Sequence, residues 1–138
     1  MNKKITSYIE LARLNKPIGV YLLLWPSLLG LLLGGLQSGS INYKNYIIVI
    51  IGSVLVRSCG CVINDISDFR IDKYIARTSN RPLVVGSLSI IEAWIFFIIL
   101  GFLSIALMIF TNPLTIKISL LFAIFIALYP LTKRFFPA

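Results

Sequence analysis

Four long apolar runs limit what this chain can fold into more than any other feature. Each has about the 20 residues that a helix needs to cross the hydrocarbon layer of a bilayer. The runs cover residues 17–36, 46–63, 90–110 and 114–131. Since 58% of the 138 residues are apolar, too many for an ordinary soluble domain of this length, the sequence predicts a helical membrane protein.

A shorter amphipathic segment precedes the first run. Its apolar residues recur at helical spacing among bases, a pattern typical of a helix that lies in the membrane interface. They are Ile5, Tyr8, Ile9 and Ala12. Neither a repeat nor a long linker divides the chain. We therefore expect residues 1–138 to form a single all-α, multi-pass transmembrane bundle, with four spans and an N-terminal interfacial helix.

The basic residues are divided unevenly between the two sides of the membrane. With four crossings, the two termini and segment 64–83 share one side, and only Lys44 and Lys117 lie on the other. Ten bases share the first side: Lys3, Lys4, Arg13, Lys16, Arg70, Lys73, Arg77, Arg81, Lys133 and Arg134. The positive-inside rule predicts that this side is cytoplasmic. We therefore expect a protein of the inner (cytoplasmic) membrane.

Two other classes of function are disfavoured. The net charge of +8 does not indicate nucleic-acid binding, because the bases punctuate apolar runs instead of clustering on a solvated face. Cys59 and Cys61 are too few ligands for a zinc site in a chain without histidine, and they are expected to be buried, unpaired thiols.

Three of the five acidic residues follow directly after the second run. If the second helix continues past the bilayer, which the absence of Gly and Pro permits, these side chains share one face. With Asn64 at zero, the helical angles are about 40° for Asp68, 80° for Asp72 and 100° for Asp65. Arg57, at about 20°, lies on the same face two turns earlier, inside the span.

Oxygen ligands on one face point to a hard metal ion. Neighbouring carboxylates repel one another unless a cation neutralises them, and Mg²⁺ typically takes one or two carboxylates, waters and the oxygens of a phosphate. We expect Asp65, Asp68 and Asp72 to bind Mg²⁺. The bases expected to bind the phosphate are Arg70, Lys73, Arg77 and Arg81. The alternative is a solvated loop whose acids pair with basic neighbours and whose bases reflect topology alone.

The acidic motif also carries a family resemblance. NDISDFRID, residues 64–72, resembles the NDxxDxxxD motif of the UbiA-type intramembrane aromatic prenyltransferases, and RTSNRPL follows it as in that family. Four further segments are similar to those of the 4-hydroxybenzoate polyprenyltransferases, the branch of that family that serves the ubiquinone pathway. They are KPIG, LLLWP, RSCGCVIND and YPLTKRF. The resemblance covers essentially the whole chain. It implies a helical membrane fold with a cavity that opens toward lipid, Mg²⁺, a polyprenyl diphosphate donor and 4-hydroxybenzoate as acceptor.

The resemblance also implies roles for individual residues. Asn64, Asp65, Asp68 and Asp72 would form the first metal-diphosphate motif. The prenyl group would be attached to the ring carbon ortho to the hydroxyl of 4-hydroxybenzoate.

Outside the motif, the residues leave alternatives open. Lys16 and Arg134 are candidates for binding the acceptor's carboxylate, or else they anchor helices at the interface. Arg57 is a candidate for the substrate site or for an ion pair with an acid such as Asp72. Glu92, near the start of the third run, is interpreted as a helix cap.

The length of the chain departs from the resemblance. Members of that family are much longer, with further spans and a second Asp-rich motif, so we expect this chain to be the N-terminal half of such an enzyme. The alternatives are a prenyltransferase for another aromatic acceptor, an inactive fragment, or a small four-span transporter with a cation path. The acids cluster at one end of a span, which favours the prenyltransferase over the transporter.

Overall fold

The computed structural model describes residues 2–135, except for the side chains of Lys133 and Arg134. The described residues contain six helices. The helices are α1 (Lys3–Leu11), α2 (Ile18–Ser38), α3 (Tyr43–Asp72), α4 (Pro82–Val85), α5 (Ile90–Met108) and α6 (Pro113–Phe135). Within that range there is no β-strand. The predicted all-α class is confirmed.

Four helices are long and apolar enough to cross a membrane. They are α2, α3, α5 and residues Pro113–Thr132 of α6. Large apolar side chains remain exposed on them, such as Leu22 at 73% and Phe102 at 71%. Lipid is the environment that accommodates such a surface. The prediction of four spans is confirmed, although α3 extends well past residue 63, to Asp72.

Helix α3 is the centre of the bundle, since it contacts α2, α5, α6 and both short helices. A compact core lies toward the end of the bundle at which α3 stops, which we call the acid end. Its buried residues are Leu11, Val62, Leu83, Leu88, Ala93 and Leu100. At the opposite end, Lys44 Nζ lies 5.5 Å from the ring centroid of Phe110. The two turns that were expected to share a side therefore do so.

Helix α1 is present as predicted, but it packs into the bundle more closely than an interfacial helix would. Leu11 is fully buried and Ser7 is 7% exposed, whereas Ile5 is 51% exposed. The ring of Tyr8 meets that of Phe96 edge-on, with 5.0 Å between the centroids. The buried face is thus rotated from the stripe predicted from the sequence, because α1 packs against α3 and α4.

The start of α5 is capped as predicted. Ser89 and Glu92 form a reciprocal capping box: the Glu92 backbone N–H donates to Ser89 Oγ, and the Ser89 N–H donates to Glu92 Oε2. Lys4 Nζ lies 2.5 Å from Glu92 Oε1, a contact that the sequence did not reveal. The hydrogen bond to Glu92 and its charge raise the pKa of Lys4. The cap therefore also holds α1 to α5.

Candidate functional site

The acidic motif occupies the last turns of α3. The helix runs without a break through Asn64, Asp65 and Asp68 and ends at Asp72, so the predicted continuation of the second span is confirmed. Asp65 and Asp72 are only 2% and 4% exposed, while Asn64 and Asp68 are partly exposed. Two of the predicted carboxylates therefore lie inside the protein, so the alternative of a solvated loop is wrong for them, although its expectation that the acids pair with a nearby base is confirmed for Asp72 and Arg81.

A single guanidinium joins the two buried carboxylates. Arg81 Nη1 lies 3.0 Å from Asp65 Oδ1 and 2.5 Å from Asp72 Oδ2. Arg13 Nη2 donates a hydrogen bond to Asp65 Oδ1, at 2.9 Å. Asp65 and Asp72 are about two helical turns apart on one face of α3, and their side chains converge on the same nitrogen of Arg81. We call these four residues the ion-pair cluster, and their formal charges cancel.

Local structure on both sides holds the backbone of Arg81 in place. After α3 ends, the chain turns back, and the buried hydroxyl of Thr78 donates to the Asp72 carbonyl at 3.0 Å. The Arg81 N–H donates to the Thr78 carbonyl at 3.1 Å. Pro82 and Leu83, which start α4, are buried. The Arg81 side chain is 23% exposed, so it reaches the carboxylates from an anchored backbone.

Arg13 is a site residue that the sequence analysis missed. It lies just beyond α1, and its φ of 55° is uncommon for a residue other than glycine. This turn follows the buried Leu11 and Ala12 and brings the guanidinium to Asp65. In the sequence Arg13 is one of ten bases on the same side, and no spacing distinguishes it from the others.

Arg57 contacts a glycine of α2. A Cβ added to Gly19 would lie 2.7 Å from Arg57 Nη2 and 2.8 Å from its Cζ, closer than real contacts allow, so the missing side chain makes room for the guanidinium. Within the described residues, Arg57 forms no salt bridge. The alternative that Arg57 pairs with Asp72 is wrong, because both residues lie on the unbroken helix α3, about 22 Å apart along its axis. Gly19 too was missed, although it lies in the KPIG segment.

The remaining predicted bases lie at the surface. Lys16, Arg70, Lys73 and Arg77 are exposed, and within the described part of the chain none of them forms a salt bridge. Lys73 Nζ lies 4.3 Å from the ring centroid of Phe69. The side chain of Arg134 lies outside the described residues. Of the four bases expected to bind phosphate, the structure brings only Arg81 to the carboxylates.

The donor set of the ion-pair cluster fits a hard cation. One Arg81 nitrogen already places positive charge between oxygens of Asp65 and Asp72, and carboxylate oxygens are ligands that Mg²⁺ prefers. Among the described residues, no group of three potential metal ligands converges. Two carboxylates supply only part of the ligands that Mg²⁺ needs, and water and substrate oxygens usually supply the rest.

Comparison with protein families assigns the chain. Residues 23–138 match the sequence model of the UbiA prenyltransferase family, a range that includes α3 with its acidic motif and Arg81. The chain belongs to the UbiA prenyltransferase family. The family resemblance seen in the sequence is confirmed. The motif on which it rests, residues 64–72, lies at the acid end of this UbiA chain.

Three similar curated proteins carry the same name. The 4-hydroxybenzoate octaprenyltransferase of Shewanella loihica is 42% identical over 98% of this chain and 46% of its own length. The protein of the same name from Saccharophagus degradans is 44% identical over 95% of this chain and 43% of its length. The Pseudomonas aeruginosa protein is 41% identical, with coverages of 98% and 45%. The chain therefore spans about half the length of the curated relatives it matches. No solved structure matches it.

Proposed function

We propose that this UbiA protein takes part in the transfer of a polyprenyl group from a polyprenyl diphosphate to 4-hydroxybenzoate, in ubiquinone biosynthesis. In this reaction the bond between the allylic carbon and the diphosphate oxygen breaks. A carbon–carbon bond forms ortho to the ring hydroxyl, and the ring proton is lost. The observation that carries the proposal is the buried pair Asp65 and Asp72, which the guanidinium of Arg81 bridges at the end of a helix long and apolar enough to span a membrane.

The acid end supplies the residues for the diphosphate donor. Asp65, Asp68 and Asp72 would hold Mg²⁺, with Asn64 beside them, and the bound metal would offset the charge of the departing diphosphate. Arg81 has forked donors that match diphosphate oxygens. The exposed bases Arg70, Lys73 and Arg77 add positive charge within and just after the motif, where it attracts the anionic donor.

A second set of bases is available for the carboxylate of 4-hydroxybenzoate. Arg57 is partly buried in α3, two turns before Asn64. A guanidinium inside a membrane protein is costly without a negative partner, and the acceptor's carboxylate would provide one. Lys16, between α1 and α2, and Arg134, in the last turn of α6, are proposed as further contacts at the same end.

The proposed location is the inner membrane, with the acid end toward the cytoplasm. Ten of the basic residues belong to the same side as the acids, as the positive-inside rule requires of cytoplasmic segments. A long isoprenoid tail would remain in the bilayer beside the exposed apolar faces of the spans. The water-soluble acceptor would enter from the cytosol.

We also propose that turnover needs residues from the part of the relatives that this chain does not match. Departure of a diphosphate from carbon needs positive charge on more than one oxygen, and the acidic motif is a single cluster. Neither of the other two acids is proposed as a metal ligand. Glu92 pairs with Lys4, and Glu10 is exposed in α1. The C-terminal half of a full-length relative is therefore the proposed partner.

Membrane vesicles from a host that lacks its own 4-hydroxybenzoate prenyltransferase provide the test. The chain is expressed alone and together with the C-terminal half of a relative, and prenylated 4-hydroxybenzoate is measured with Mg²⁺ or with a chelator. We expect Mg²⁺-dependent product only with both halves, lost in Asp72→Asn and retained in Glu10→Gln. Product formed equally well by the Asp72→Asn variant would contradict the proposed site. Product from the chain alone would contradict the need for a second half.

A further inference from the structure

Arg81 lies where a metal ion that bridges Asp65 Oδ1 and Asp72 Oδ2 would bind. Its Nη1 is within 3.0 Å of an oxygen from each carboxylate, and Asp65 Oδ1 also accepts a hydrogen bond from Arg13. A metal ion approaches carboxylate oxygens to about 2.1 Å. Guanidinium and metal ion would therefore compete for the same oxygens, and they repel one another.

Charge shows when each cation is favoured. The ion-pair cluster is neutral, with two carboxylates and two guanidiniums. Adding a divalent ion alone would leave two uncompensated positive charges at a buried site, which is costly. If the metal arrives with a diphosphate, which carries about three negative charges near neutral pH, the added charge is offset. The guanidiniums then gain phosphate oxygens as new acceptors.

From this geometry we infer that Arg81 is a positioning residue that substitutes for the metal ion until the donor binds. In the absence of diphosphate its guanidinium neutralises Asp65 and Asp72 and keeps divalent ions out. When metal and diphosphate arrive together, the guanidinium leaves the carboxylates and binds the diphosphate. The inference rests on the proposed function and adds an order to it: the metal is admitted only with its substrate.

The anchoring of Arg81 suits this exchange. Its backbone is held by Thr78 on one side and by the buried Pro82 and Leu83 on the other. The side chain is partly exposed, at 23%, and has several rotatable bonds, so the guanidinium can move without unfolding α4. Arg13, with a side chain 33% exposed, contacts only Asp65 among the two acids, so its effect on the metal should be smaller.

The test is the affinity for Mn²⁺, a hard divalent ion that replaces Mg²⁺ at oxygen ligands, measured by electron paramagnetic resonance on the whole chain in detergent. For the wild type we expect weak binding of Mn²⁺ alone and much tighter binding with a non-hydrolysable prenyl diphosphate analogue. For Arg81→Gln we expect Mn²⁺ alone to bind at least about tenfold more tightly than to the wild type. Because both carboxylates lie on α3, the gain is read on Arg81→Gln protein that keeps the helix content and the cooperative unfolding of the wild type.

Three variants control the result. Lys3→Gln removes one positive charge from an exposed position of α1 and should change Mn²⁺ affinity by less than about fourfold, the long-range effect of one screened charge. Arg81→Lys keeps the charge without the fork and should lie between wild type and Arg81→Gln. Adding Asp72→Asn to Arg81→Gln should abolish the gain, because it removes a ligand.

The outcomes separate the inference from the proposed function. If the wild type binds Mn²⁺ with the analogue, but Arg81→Gln with normal helix content binds Mn²⁺ alone no more tightly than wild type, the inference is wrong and the proposed function stands. If Arg81→Gln unfolds, Arg81→Lys decides by the same comparison with wild type. If neither the wild type nor the Arg81 variants bind Mn²⁺, with or without the analogue, the inference and the proposed function fail together.

Discussion

Arg81 Nη1 lies 2.5 Å from Asp72 Oδ2 and ties the end of α3 to the start of α4. The two residues are nine positions apart, and the segment between them turns back on itself so that the guanidinium meets the helix it has left. The Asp72 side chain is 6% exposed. A carboxylate this deeply buried needs a positive partner, and that requirement leads to the first prediction.

Arg81→Gln should lower the free energy of unfolding by about 2 kcal/mol in the absence of divalent ions, because it leaves Asp72 buried without its cation. Arg13→Gln should cost less, since Asp65 keeps Arg81. Chemical unfolding in detergent micelles, followed by circular dichroism, measures both changes. The exposed Arg77→Gln serves as the matched control and should stay within about 0.5 kcal/mol of the wild type. Equal effects of Arg81→Gln and Arg77→Gln would show that the ion pair of Arg81 with Asp72 makes no net contribution to the free energy of unfolding.

Gly19→Ala should displace the guanidinium of Arg57 while leaving the fold intact. The atoms that a methyl group would meet belong to the far end of a flexible side chain, so the stability should change by less than about 1 kcal/mol. If Arg57 binds the acceptor's carboxylate, the KM for 4-hydroxybenzoate should rise in the two-half assay.

Gly30→Ala is the control for that variant, because a Cβ on Gly30 in the same helix meets nothing within 4 Å. It should leave the KM unchanged. A normal KM in Gly19→Ala would separate Arg57 from acceptor binding.

Leu11→Ala should loosen the docking of α1. Leu11 is fully buried in the core with Val62 and Leu83, and removing a buried leucine side chain costs about 2–4 kcal/mol. Ile5 lies on the same helix and is 51% exposed, so Ile5→Ala should change the free energy of unfolding little. Limited proteolysis within α1, together with unfolding measurements, distinguishes the two variants. Equal protection of α1 in both would mean that it is held by the lipid interface and not by the core.

Single cysteines test the orientation in the membrane, in a background without Cys59 and Cys61. Asn15→Cys and Asn80→Cys lie at the acid end, and Ser40→Cys lies at the opposite turn, all at exposed positions. An impermeant thiol reagent added to intact cells should label only the cysteine at position 40. Labelling of position 80 from outside would reverse the orientation and place the acid end away from the cytosol.

Several features of the fold could be predicted from the sequence because they depend on local properties of the chain. The apolar runs are as long as a bilayer is thick, and the helix is the structure that satisfies its own backbone within one segment. The run from residue 62 to Arg81 without Gly or Pro allowed α3 to continue through the acidic motif. The capping role of Glu92 also follows from its place in the first turn of α5.

The partners of the buried acids were decided only by the tertiary structure. Arg13 and Asp65 are 52 positions apart, and no helical period connects residues on different helices. The choice of Arg81 among the bases after the motif as the partner of Asp72 depends on the turn that follows α3 and brings the chain back to the helix it has left. Periodicity along one helix tells which residues share a face. Which charges meet on that face depends on how the other helices dock, because an ion pair forms only where docking brings the two groups within contact distance.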